Sequence, residues 1–225
     1  MGASPRFAPL WSAGPMVAAF AVTLGLGLGA AAAKDWKTVV IGMEGAYEPY
    51  NLTGPDGKIV GFEPDVAMDA CKRIKVECKI IAQDWDGMIP GLNAGKFDVI
   101  MDGMSITDER KKQIDFSIPY ANVPAAFATA KSSPLAKLPT SDKVVNFNKD
   151  KAAGDAALKT LREALKGKTL GVQVSTIHAT FATNHLKDVA DIKEYKTTDE
   201  RDLDLKSGRV DAVLDDETVI VSMLS

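Results

Sequence analysis

From Lys37 onward the chain switches repeatedly between continuous apolar runs and apolar positions spaced three and four apart. The run 38–43, TVVIGM, reads as a buried strand. After a turn carrying Gly54, Pro55 and Gly57, the positions Val66, Ala67, Ala70, Cys71 and Ile74 form one stripe of a helix predicted over 64–74. Pro64 suits its first position, where a backbone N–H has no partner to lose. A second strand is predicted over 76–81. Trp85, Met88, Ile89 and Leu92 then follow helical spacing, with Pro90 tolerated near the start and Gly95 near the end. The apolar run 97–101 is a third strand, ending on the polar Asp102. Strands separated by helices imply a parallel sheet with helical crossovers, hence an α/β fold.

The segment 118–124 carries Pro119 and Pro124 and reads as a boundary. A small-residue strand over 125–130 opens a second unit, followed by a polar loop over 131–151 with Pro134 and Pro139. Ala157, Leu158, Leu161 and Leu165 mark a helix. Then follow a strand (169–174), a helix (176–186), a strand (192–195), a helix from about Asp199 closed by Gly208, and a strand (210–214). The expected organisation is two α/β units, 34–122 and 123–225, behind a leader over 1–33. Residues 217–225 only open a further element.

Composition adds the compartment. Arg6 is the sole charge in residues 1–33; the stretch 16–28 is apolar and Gly-rich, and small residues occupy 30–33. This describes a secretory signal peptide cut after Ala33, the alternative of a transmembrane anchor needing a longer apolar stretch. The GLGLG run over 25–29 lacks a strand–turn–helix context, so it is not read as a phosphate loop. Over the whole chain 27 Lys and Arg face 30 Asp and Glu, a mild acidity that argues against nucleic acid as a partner. Cys71 and Cys78 are the only cysteines, and His178 and His185 lie far off in sequence, so no metal or cofactor is expected. In an oxidising compartment the pair reads as a disulfide worth about 2–3 kcal/mol, the alternative being two buried thiols.

The stretch SITDERKKQIDFSIPY, 105–120, carries the clearest chemistry. A strand ends at Asp102, the turn Gly103–Met104–Ser105 follows, and a charged segment of helical character comes next. Backbone N–H groups at such a start favour an anion. Arg110, five residues after Ser105, can curl back as a fork for a carboxylate. The alternative is a surface helix with a solvated Arg.

With these residues in view, the chain resembles family 3 of the bacterial extracellular solute-binding proteins, the polar amino-acid binders of ABC importers. The matching stretches are IGMEGAYEPYN, GKIVGFEPDVAMDACKR, QDWDGMIPGLNAGKFDVI, MSITDERKKQIDFSIPY, LGVQVSTIHATF and SGRVDAVLDD. The resemblance implies a type II periplasmic-binding-protein fold: two lobes joined by a hinge, with the ligand in the cleft between them. Closure would present a surface to a membrane permease, the chain acting as a monomer. It also implies a C-terminal return to lobe I that is missing beyond Ser225, leaving apolar surface uncovered.

Residue by residue, the resemblance places Glu44 at the distal end of the ligand's side chain, and Tyr47 and Trp85 as aromatic walls. Ser105 and Arg110 match the α-carboxylate grip, and Gly103 a neighbouring backbone position. Asp102 stands where basic-amino-acid binders carry a hydroxyl; it either helps to neutralise a cationic side chain or only terminates the strand. Thr176, Ile177 and His178 match a turn that donates to the same carboxylate. Here Ser175 replaces the usual Gly and Ile177 a second hydroxyl residue; His178 reads equally as a helix-start polar residue. Asp216 matches the acceptor of the α-ammonium, with Asp215 the alternative if the register is shifted. A cationic L-amino acid (arginine, lysine, ornithine or histidine) is the first expectation. An opine is the second, suggested by the longer segment 134–168. The rival class is an enzyme of the prephenate- or arogenate-dehydratase kind, drafting Glu44 or Asp216 as acid or base. With no nucleophile–base pair visible, binding without chemistry is expected.

Overall fold

The computed structural model describes residues 36–137, 144–147 and 149–225; the leader and Pro139 lie outside them. In order, the elements are β1 (Thr38–Met43), β2 (Ala46–Tyr47), β3 (Asn51–Thr53), β4 (Ile59–Val60), α1 (Phe62–Ile74), β5 (Glu77–Ala82), α2 (Met88–Asn93), β6 (Val99–Ile100) and α3 (Asp108–Lys111). They continue with β7 (Ala125–Thr129), α4 (Lys151–Ala164), β8 (Thr169–Gln173), α5 (Ile177–His185), β9 (Asp191–Tyr195), α6 (Thr198–Lys206), β10 (Ala212–Asp216) and α7 (Glu217–Leu224). None of the helices among the described residues is long and apolar enough to cross a membrane.

The first sheet is parallel, in the order β5-β1-β6. Only part of the stripe expected for α1 packs on it: Ala67 and Cys71 meet Ile41 and Met43, whereas Val66, Ala70 and Ile74 are exposed. The helix also begins two residues earlier than expected, so Pro64 is its third residue and is buried with Glu63. The Cys71–Cys78 disulfide ties the end of α1 to the start of β5, as expected for an oxidising compartment. The turn read around Gly54 and Gly57 is instead a small antiparallel sheet, β2-β3-β4. Its strands are two or three residues long, too short to show a period.

The second sheet runs β7-β10-β8-β9, with β10 antiparallel to β7 and parallel to β8. Period-two alternation along β10 divides its side chains between two cores. Ala212 and Leu214 join Leu165, Leu170, Leu186 and the α5 residues Ala179 and Ala182 on one face. Val213 joins Tyr195, Leu205 and Ile220 on the other. The α6 start is fixed by a capping box between Thr197 and Glu200.

Two corrections concern the carboxylate motif. The helical character expected after Ser105 is a single turn, α3, and Thr107 caps it through Arg110 N–H. The strand before it is confined to Val99 and Ile100, so 101–107 runs as an extended loop. Between the two sheets, Tyr47, Tyr50 and Val219 form a small buried cluster with Val123 packed against it.

Candidate functional site

The ends of β1 and β6 lie side by side in the first sheet and deliver Glu44 and Asp102 to the same place. The Glu44 N–H donates to Asp102 Oδ1 at 3.1 Å. Beneath them a buried amide holds the floor together. Asn51 Nδ2 donates to Asp102 Oδ1 at 2.6 Å and to Glu63 Oε2 at 2.7 Å, while its Oδ1 accepts from Gly45 N–H. Glu63 Oε1 in turn receives the Gly103 N–H at 2.7 Å and the Tyr120 hydroxyl. Gly103 is needed here: its φ is +56°, and a Cβ would lie 2.9 Å from the Tyr47 ring.

Burial pushes the Glu44 carboxyl up to about 8; the charges of Asp102, Asp215 and Asp84 add to this, and the Gln173 hydrogen bond opposes it. Burial likewise pushes Asp102 up to about 7, with Glu63 adding and the Glu44 and Asn51 hydrogen bonds opposing. This end of the site is therefore a pair of partly dry carboxyls.

The second lobe supplies the facing wall. Gln173, the last residue of β8, is buried and donates from Nε2 to Glu44 Oε1 at 2.8 Å and to the Lys196 carbonyl at 3.1 Å. At the end of β10 the two adjacent acids part company. Asp215 turns inward, where the fully buried Arg201 pairs with its Oδ2. Asp216 faces the cleft, its Oδ2 accepting the Tyr47 hydroxyl at 2.9 Å. Burial, with Asp215 and Asp216 alongside, raises the Tyr47 hydroxyl far above its ordinary value, so it remains a donor.

Arg110 spans the opening from the other side. Its Nη1 donates to the Ser105 carbonyl at 2.8 Å and its Nη2 to the Ser175 carbonyl at 3.0 Å, one from each lobe. Its guanidinium lies 5.3 Å from the centre of the Trp85 ring, so Trp85 orients Arg110 as well as walling the cleft. Among the described residues Arg110 has no carboxylate partner, and burial lowers its pKa. Nearby, Thr176 caps α5: its Oγ1 accepts from Ala179 N–H at 3.0 Å and donates to the Gln173 carbonyl at 2.7 Å. The Thr176 hydroxyl is thus engaged locally, and the N–H groups of Ile177 and His178 stand in the first turn of α5, where helix N–H groups have no intrahelical partner. Ser175 takes a left-handed φ of +60°.

Glu44, Tyr47, Trp85, Asp102, Gly103, Ser105, Arg110, Thr176, Ile177, His178 and Asp216 border one cleft, joined by Gln173; the alternative acid Asp215 does not. The His178 ring is buried, 3.6 Å from Asp215 and 3.4 Å from Asp216, beyond good hydrogen-bonding distance. These three residues offer ligand atoms within 4.8 Å of one another. Asp215, however, is held by Arg201, Tyr47 and the Asp216 N–H, so a metal ion would compete with a buried guanidinium.

Gln173, Asn51, Glu63 and Arg201 were not foreseen. Each is a polar residue whose burial arises from distant parts of the chain, which hydropathy patterning does not register.

Residues 39–181 match the family model of bacterial extracellular solute-binding proteins, family 3. An octopine-binding periplasmic protein of Rhizobium meliloti is 47% identical over 194 residues, covering 86% of this chain and 66% of that protein. An L-arginine-binding protein of Pseudomonas aeruginosa is 36% identical over 181 residues, covering 80% of this chain and 61% of that protein. The chain therefore spans somewhat under two thirds of the length of these relatives. Among solved structures, an ancestral arginine-binding protein bound to arginine superposes with a TM-score of 0.69 at 33% identity, covering 84% of this chain and 74% of that one.

Proposed function

The chain belongs to the bacterial extracellular solute-binding proteins, family 3, and on that premise we propose that it captures a cationic L-amino acid between its two lobes for delivery to an ABC-transporter permease. The observation that carries this reading is the polarity of the cleft. Arg110, without a carboxylate partner among the described residues, stands at one part of it, and the Glu44–Asp102 carboxyl pair at another. Asp216 offers an acceptor between them for an α-ammonium. A free amino acid with a basic side chain matches all three groups. Tyr47 and Trp85 then flank its aliphatic stem, and Ser105 and the Thr176–Ile177–His178 turn complete the carboxylate grip.

In this reading residues 1–33 are a cleaved leader, 34–122 form lobe I and 123–225 lobe II, and the periplasmic product acts as a monomer. It performs no chemistry: the cleft carboxyls bind charge and hold no nucleophile. The related arginine-binding proteins support a cationic amino acid, and the octopine-binding relative supports an opine as the second reading. The test is titration calorimetry with L-arginine and octopine, with mass spectrometry of the recovered ligand. A binder returns the ligand unchanged, and a dehydratase-like enzyme converts its own. Tighter binding of octopine than of arginine would favour the second reading.

A further inference from the structure

We propose that Asp102 is the specificity-determining residue of the cleft, forming with Glu44 a two-carboxylate clamp that selects a guanidinium over a primary ammonium or a neutral urea. The assignment rests on the binding function above and names the chemical class of the ligand's far end. Asp102 is 2% exposed. Its Oδ1 is saturated by the Glu44 N–H and the Asn51 amide. Its Oδ2 is buried and takes no hydrogen bond among the described residues. A carboxylate oxygen left dry and without a donor is costly, and folded proteins keep such a group where something else satisfies it.

The floor offers no spare donor. The Asn51 amide is committed to Asp102 Oδ1 and Glu63, and Glu63 is itself filled by Gly103, Tyr120 and Asn51. A residue that only ended a strand would turn its carboxylate to water, which Asp102 does not do. Beside it, Glu44 has Oε1 held by Gln173, and its Oε2 accepts nothing among the described residues. Asp102 Oδ2 and Glu44 Oε2, on two carboxyls that border the cleft, thus take no hydrogen bond among the described residues.

A guanidinium fits this pair for two physical reasons. It is planar with five N–H donors in fixed directions, so one group reaches two separate acceptors at once. It is also more weakly hydrated than an ammonium, so it loses less on entering a buried site. A urea has the same shape but brings no charge to offset two carboxylates.

The experiment is titration calorimetry of the full chain and of Asp102→Asn with L-arginine, L-lysine and L-citrulline, with thermal unfolding to verify the fold of the variant. The wild type is expected to bind arginine tightest. Asp102→Asn is expected to weaken arginine roughly 10- to 100-fold and citrulline less than about 3-fold. Equal losses for arginine and citrulline overturn the role of Asp102 and leave the binding function standing. Lysine or citrulline binding to the wild type at least as tightly as arginine overturns it too, and this comparison decides the matter if the variant does not fold. A wild type that binds none of the three, and not octopine, overturns the proposed function and this assignment together.

Discussion

The side-chain amide of Gln173 sits 2.8 Å from Glu44 Oε1, joining the last residue of β8 to the residue that follows β1. This hydrogen bond crosses the cleft, between two cleft-lining residues 129 positions apart. It also opposes the rise in the Glu44 pKa by favouring the charged carboxylate.

Gln173→Leu removes that donor at nearly constant volume. Arginine binding is expected to weaken by about 1.5–3 kcal/mol, the range for a hydrogen bond to a charged group. Calorimetry at neutral pH checks this. An unchanged affinity would mean that the contact plays no part in the liganded state.

Arg110→Ala is expected to cost at least about 2 kcal/mol of arginine binding, because a buried ligand carboxylate loses its charged partner. Arg110→Lys restores charge without the planar fork and should recover only part of the loss. Wild-type affinity in Arg110→Ala would remove this residue from the site.

The raised carboxyls set a pH dependence of stability. Glu44 moves from 4.5 to about 8 and Asp102 from 3.8 to about 7 in the folded protein. Between those limits the folded state holds protons that the unfolded chain has released, so stability falls as pH rises. The melting temperature without ligand is expected to decline from about pH 5 to about pH 8, and Glu44→Gln should flatten the decline. Asp204, held ionised by Arg209 and Lys193, acts in the opposite sense, but only below the ordinary carboxyl range. A melting temperature that rises steadily from pH 5 to 8 would contradict the reading of both cleft carboxyls.

Ser175 occupies a left-handed conformation, with φ +60°, which glycine adopts at less cost than serine. Ser175→Gly relieves that strain and is expected to stabilise the fold by about 0.5–1 kcal/mol after the larger entropy of Gly in the unfolded chain is allowed for. Denaturant unfolding measures it. Destabilisation would show that the Ser175 side chain contributes more than its backbone costs.

How much of this was readable in advance depended on whether a residue's role was local. Arg110 curls back to Ser105 five residues away, and the turn between them announces the contact. Gln173 reaches a partner 129 positions distant, and nothing in the run TLGVQ distinguishes it from a buried strand end. Asn51 and Glu63 lie twelve positions apart in sequence, and only folding brings them together under Asp102. The choice between Asp215 and Asp216 could not be made from a motif. It follows from the faces of β10 and from Arg201, which draws Asp215 into the core.

The central claim is that the cleft holds a cationic amino acid by both ends. The most direct test is titration calorimetry of the full chain with L-arginine against agmatine, which keeps the guanidinium and lacks the carboxylate. Saturable one-to-one binding of arginine is expected, with agmatine at least about tenfold weaker because Arg110 is left without its anion. No arginine binding, or equal affinity for the two compounds, would contradict it.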